Sequence, residues 1–473
     1  MAASHGTADK NLNNGTMSFP QTAAELGSAI FRRRFGLKHA YAAGAMYRGI
    51  ASPELVVRMG RARLLAFYGT GGLGLREIES GIRRIQAALA DGEPYGVNLL
   101  ANYANPGLVD DTVALYLALG VRTVEAAAFT QITPALVRFR ASGLRRADDG
   151  RVLCDHRIVA KVSRTEVAEA FMRPAPAPMV QALLAQGLLT PAQAQAAAHV
   201  PMSHDLCIEA DSGGHTDIGM PAVLFPAMRK LAVEAARRHG HAEPLCVGLA
   251  GGIGSPEAAA CAFVLGADFI LTGSVNQCTP EAATSDTVKR LLAQADIHDT
   301  DYAPAGDMFE SGARVQVLTR GSLFAARANR LRTLYSAYES LEHIPPQVLK
   351  QLQAHCFGKS HDEIWDEVVA YLEGTGQAAQ VERARRNPKA RMALVFKWYF
   401  GHSTRLALAG NADDVANYQV HTGPALGAFN RWVKGTALEH WQSRHVDHIA
   451  ESLMQGASTF LRESCGGWMG QAA

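Results

Sequence analysis

Eight short apolar runs, each followed by a turn and then helix-like sequence, constrain this 473-residue chain more than any other feature. They are "HAYAAGAM" (39–46), "RLLAFYG" (63–69), "PYGVNLL" (94–100), "RTVEAAAF" (122–129), "RIVAKVS" (157–163), "DLCIEAD" (205–211), "PLCVGLAGG" (244–252) and "DFILTGS" (268–274). Runs apolar on both faces suit the strands of a parallel sheet covered on both sides. The stretches between them carry helix punctuation. "SPELVVRMGRA" opens with Ser52 as N-cap and Pro53 at the first helical position. "SPEAAACAFVLG" repeats that start, and Gly266 is placed to stop it. Eight such alternations between residues 39 and 274 predict an α/β fold of the (β/α)8 TIM-barrel type. A doubly wound open sheet is the competitor. The barrel is preferred because the count is eight and glycine turns follow runs seven and eight.

The boundaries expected from this pattern are an N-terminal arm (1–36), a barrel (37–299) with a helical excursion at about 164–204, and a mainly helical second domain (300–473) that covers the barrel mouth. No further strand–turn–helix repeat is legible after residue 299. Hydrophobic residues make up 48% and charged residues 19%, which fits a globular enzyme and argues against disorder. A formal charge of +2 gives no sign of nucleic-acid binding. Seven scattered cysteines form no CxxC pair and no zinc-spaced cluster, so no metal site is expected and a reduced, cytoplasmic setting is. Cys207 and Cys246 lie inside apolar runs and read as buried. No apolar run is long enough to span a bilayer.

In a barrel the active site forms from the loops after the strands. After run seven comes Ala250-Gly251-Gly252-Ile253-Gly254, and after run eight Thr272-Gly273-Ser274. Glycines let backbone N–H groups approach an anion, so these adjacent turns predict a phosphate cradle. After run six, "EADSGGHTD" crowds Glu209, Asp211, His215 and Asp217 into one loop, and His215 can exchange a proton near neutral pH. Gly44, Ala45 and Met46 follow run one and would let a flat ring lie against the backbone. Asn98 is a polar residue in run three. Lys161, in run five, needs an anionic or polar partner: Glu125, Glu209 or a cofactor carbonyl.

The segments "FGLKHAYAAGAMYRGIAS", "EADSGGHTD", "GLAGGIGSPEAAACAFVLGADFILTGSVNQCTPEA", "DMFESGARVQVLTRGSLFAARANRLRTLY" and "NPKARMALVFKWYFGHSTR" carry a family likeness over nearly the whole chain. The chain resembles the PfaD-type, trans-acting enoyl reductases of trans-acyltransferase polyketide synthases and polyunsaturated fatty-acid synthases, within the wider group of FMN-dependent nitronate monooxygenase-like barrels. The resemblance implies FMN across the barrel top, its phosphate at Gly251, Gly252, Thr272, Gly273 and Ser274. Its ring would lie near Gly44, Ala45, Met46 and Asn98, with Lys161 and Gln277 as further contacts. Nitronate monooxygenases carry a shorter Glu-Ala-Gly-Gly-His motif. Asp211 and Ser212 are the two residues added here, and they are expected to face the substrate.

The implied reaction moves a hydride from NADPH through FMN to the β-carbon of an α,β-unsaturated acyl thioester. His215, and secondarily Lys161, would supply a donor or the proton. The substrate would ride on an acyl carrier protein of a polyketide synthase. "FRRRFG" (31–36), "RANRLR" (327–332) and "RARRNPKAR" (383–391) are the basic stretches available to dock it. A homodimer is compatible with the sequence. The alternatives are a nitronate monooxygenase using FMN and oxygen, and a non-catalytic flavin-binding docking subunit.

Overall fold

A computed structural model describes residues 22–103 and 105–470. Residues 1–21, the polar part of the expected arm, lie outside the described residues. In chain order the strands are β1 (Tyr41–Ala43), β2 (Leu65–Tyr68), β3 (Gly96–Leu100), β4 (Thr123–Ala127), β5 (Leu144–Arg146), β6 (Val152–Cys154), β7 (Arg157–Val162), β8 (Asp205–Glu209), β9 (Gly214–Thr216), β10 (Cys246–Ala250), β11 (Ile270–Thr272), β12 (Thr300–Pro304) and β13 (Arg314–Leu318). Eight of them close a parallel barrel in the order β1-β11-β10-β8-β7-β4-β3-β2. All eight expected strand runs are barrel strands, and the open-sheet alternative is excluded by the β1–β11 pairing.

The barrel interior is packed, not hollow. Leu65, Phe67, Val159, Cys207, Cys246 and Phe269 fill it, each at most 1% exposed. Gly248 makes room for Phe269, whose ring would sit 2.5 Å from an added Cβ. Helix α1 (Ala29–Phe35), included in the arm by sequence, plugs the bottom. Its Phe31 stacks on Phe269 with centroids 4.0 Å apart. Arg34 reaches Asp205, and both side chains are buried.

Helices α2 (Pro53–Arg61), α3 (Leu75–Ala88), α4 (Pro106–Ala118) and α5 (Pro134–Ser142) follow the first four barrel strands. Ser52 caps α2 by accepting from Leu55 N at 3.1 Å, as its sequence signature predicts. The excursion holds α6 (Thr165–Met172), α7 (Ala177–Ala185) and α8 (Pro191–Ala197). The ring continues through α6 to α9 (Pro221–His239) and α10 (Pro256–Val264), which ends before Gly266 at φ +93°.

The last strand–helix unit is split. After β11 come the short α11 (Ser274–Gln277) and α12 (Asp286–Ala293), then the β12–β13 hairpin. Next are α13 (Phe324–Ala337), α14 (Pro346–Leu352), α15 (His361–Gly374), α16 (Ala378–Arg386) and α17 (Pro388–Ala409). The chain then returns through α18 (Pro424–Trp432) to α19 (Val446–Gly470). Helix α19 packs between α10 and α2 and completes the barrel's ring. Ile449, Leu453 and Met454 on it are fully buried in the barrel's core cluster. The helical region therefore departs from the expected 300–473 unit in two ways. It is an insertion whose C-terminal helix belongs to the barrel, and it contains strands. β12, β13 and the barrel-loop strand β9 form an antiparallel sheet in the order β12-β13-β9. Among the described residues no helix is long and apolar enough to cross a membrane, and no group of three or more His, Cys, Asp or Glu could hold a metal ion.

Candidate active site

A cavity of about 470 Å³ opens at the C-terminal ends of the barrel strands, under the insertion. Gly44, Ala45 and Met46 after β1, Asn98 in β3 and Lys161 in β7 line it. So do Asp211, Ser212 and His215 from the β8–β9 segment, Gly251 and Gly252 after β10, and Thr272, Gly273, Ser274 and Gln277 around β11. The structure thus places these residues around one cavity, whereas Asp217 lies outside its lining.

The floor is charged. Lys161 Nζ lies 3.2 Å from Glu209 Oε1. Glu125, on β4, is fully buried. Its Oε2 accepts from Asn98 Nδ2 at 3.1 Å, while Oε1 has no hydrogen-bond partner among the described residues. Burial raises the Glu125 pKa, and Lys161 opposes that shift. Burial alone would lower the Lys161 pKa. Glu209 and then Glu125 outweigh it and hold the ammonium above the ordinary lysine value. The partner that sequence left open is therefore Glu209, with Glu125 adding field rather than contact. Asn98 is tied to Glu125 and so buttresses this floor.

The two glycine turns form the opposite wall. Gly251 and Gly252 have φ of +93° and +73°, a region that favours glycine. A Cβ on Gly251 would meet Asp211 O at 2.6 Å, whereas a Cβ on Gly252 or Gly273 would meet nothing within 4 Å. Among the described residues, no backbone acceptor is found for the N–H groups of Gly252, Gly273 or Ser274. Ser274 Oγ accepts from Gly423 N at 3.0 Å, which leaves its own proton to donate. Gln277 is 4% exposed, and no described residue hydrogen-bonds its amide. Thr272 differs: its hydroxyl is occupied by Tyr41 and Asn276, so it braces the turn. Unpaired donors around open space suit a phosphate and the polar edge of a flat ligand.

His215 stands at the mouth. Its Nε2 is 2.8 Å from Asp307 Oδ1, on the loop between β12 and β13. Burial in the cavity lowers the His215 pKa, but the bond to Asp307 and its charge prevail, and the net shift is upward. The same pairing holds the Asp307 carboxyl below its ordinary value, against the desolvation that would raise it. His421 meets His215 edge-on, with ring centroids 6.5 Å apart. Burial first, then His215, lower its pKa to about 4, so this ring is neutral. Gln419 Nε2 donates to His421 Nε2 at 2.8 Å.

Asp211 and Ser212 line the cavity with their polar groups already engaged. Asp211 accepts from Thr216 Oγ1 at 2.8 Å and from Tyr302 OH at 2.5 Å. Ser212 Oγ donates to Glu209 at 3.1 Å. These bonds also brace the loop. Asp217 pairs with Ser163 and Arg164, away from His215. Asp307 opens a segment that carries the family likeness, but nothing local tied it or His421 to His215, since their contacts cross long stretches of chain.

Comparisons with known proteins fit this geometry. A family model described as "[Acyl-carrier-protein] S-malonyltransferase, inserted helical domain" matches residues 338–418, within the insertion. The polyketide biosynthesis protein ThaF of Burkholderia thailandensis is 53% identical over 437 residues, 92% of this chain and 37% of that protein. The polyketide biosynthesis protein PksE of Bacillus subtilis is 50% identical over 442 residues, 93% of this chain and 57% of that protein. The crystal structure of the enoyl reductase domain of MlnA, from the macrolactin biosynthesis cluster of Bacillus amyloliquefaciens, superposes with a TM-score of 0.91 at 42% identity. It covers 94% of this chain and 99% of that domain. The chain belongs to the polyketide-synthase enoyl reductase family. It spans 37% and 57% of the two curated relatives, so it corresponds to one part of each. For the family member described here, the barrel and the split insertion together make up the matched unit.

Proposed function

We infer that the chain is an FMN-dependent enoyl reductase that acts in trans on α,β-unsaturated acyl thioesters of an acyl carrier protein, with NADPH as hydride donor, during polyketide assembly. The observation that carries this reading is the single cavity in which unpaired turn donors, the Lys161–Glu209 pair and the Asp307-bound His215 face one another. FMN, when bound, supplies hydride transfer from the nicotinamide to the β-carbon. The N–H groups of Gly251, Gly252, Gly273 and Ser274 would hold its phosphate, and Gly44, Ala45 and Met46 leave a small-residue surface for its ring. Gln277 and Lys161 offer donors to its polar edge. His215 carries the other half of the reduction. With Nε2–H donated to Asp307, a protonated imidazole has its Nδ1 proton left for the α-carbon of the substrate. The neutral His421 beside it adds no competing positive charge.

The test is anaerobic. The purified protein is reduced with NADPH, a crotonyl thioester is added, and absorbance is followed near the oxidised flavin band at roughly 450 nm. Rapid return of the band supports the reading. Protein that carries no flavin, or flavin that stays reduced until air enters, overturns it.

A further inference from the structure

One face of α17 lines the same cavity as the glycine turns. That helix has two used faces. Met392, Val395, Phe396 and Tyr399 point into the insertion's own core and are fully buried. Lys397, Phe400, Gly401, Thr404, Ala407 and Leu408, which recur at three- and four-residue steps, line the cavity instead. Val288 of α12, Val315 of β13 and Val420 form the facing wall. The one charged side chain on this helical face, Lys397, is paired with Glu310 at 3.2 Å. The Thr404 hydroxyl is engaged by the Phe400 carbonyl at 3.1 Å and by Gln419 Oε1 at 3.2 Å.

We propose that this branch is an acyl channel, which takes the aliphatic chain of the thioester beyond its reacting carbons and sets the chain length the enzyme accepts. The proposal rests on the enoyl-reductase reading and adds its substrate range. Chemistry selects the occupant. Among the described residues, the free polar group beside this wall is the buried Thr284 hydroxyl, too little for the phosphates and adenosine of a dinucleotide. A pantetheine arm carries more amides than that one hydroxyl could partner. A hydrocarbon chain needs neither, and it leaves water for an apolar wall. Val315 pairs opposite His215, and Val420 directly precedes His421, whose ring meets His215, so this wall adjoins the proposed proton donor.

The channel is tested by calorimetric titration of the full chain, as purified, with butyryl- and octanoyl-pantetheine, saturated analogues that need no turnover. The octanoyl compound is expected to bind about tenfold tighter or more, from burial of its added methylenes. Ala407→Phe fills the branch and should bring that ratio to about one. Leu408→Ala, a removal that the fold tolerates more readily, should reduce the ratio by roughly threefold or more through lost contact. Circular dichroism and flavin content report folding of both variants. Equal binding of the two analogues by the unmodified chain, or a ratio unmoved in both variants, overturns the channel. Loss of NADPH binding in Ala407→Phe with the octanoyl ratio intact also overturns it, assigning the branch to the dinucleotide. Failure of the enoyl-reductase reading is seen separately, as flavin that a crotonyl thioester does not reoxidise.

Discussion

Asp307 is a residue of the insertion, yet it sets the protonation of a barrel-loop histidine. Because Asp307 favours the imidazolium, His215 holds its proton below its raised pKa and loses it as pH rises through that value. Turnover by proton donation should fall along the same alkaline limb. Asp307→Asn removes the favouring charge, so the limb should move to lower pH. A profile of kcat against pH checks this, and an unmoved limb would take His215 out of the proton step. The paired glycines separate fold from binding. Gly251→Ala drives a Cβ into the Asp211 carbonyl and should cost stability, about 1–3 kcal/mol in urea unfolding. Gly252→Ala meets open space. It should cost only about 1 kcal/mol for its positive φ, and show mainly as weaker flavin binding in a fluorescence titration.

Among the elements, α19 belongs to the barrel although the chain reaches it last. Leu453→Ala on that helix should destabilise the barrel by about 2–5 kcal/mol, as a core cavity does, and lower the Tm of the whole chain. A tail that merely packed on the surface would show almost no change. Sequence spoke clearly for the eight barrel strands because they are largely buried on both faces and so are written mostly in apolar residues. β9 and β12 escaped notice because they are short and half-exposed, and "TDYAP" ends in a proline. The helical spacing of α19 was legible, but its partner was not: periodicity tells which face is buried and is silent on what buries it. The same limit divides the site. "EADSGGHTD" announced His215 through its own chemistry. Its pairing with Asp307 gave no local sign, since the two are separated by 92 positions.

At the scale of the whole molecule, the cavity lies at the seam between barrel and insertion, and β13 pairs directly with β9, Val315 opposite His215. A ligand there should stabilise both parts together. Saturation with FMN at a hundredfold excess over its Kd should add about 2.7 kcal/mol and raise one shared thermal transition. Two transitions, with only one shifted, would refute a shared seam. The split last unit also has a consequence in time. β11 ends at Thr272, while its helix begins only at Val446. A ribosome adds about 5–20 residues per second, so the barrel wall waits roughly ten to thirty seconds for its final piece. Until then the flank of α10 that α19 will cover stays wet, while the intervening helices are already emerging. Newborn chains halted before residue 446 should therefore attract chaperones through that slot, and the barrel wall closes only when α19 fills it.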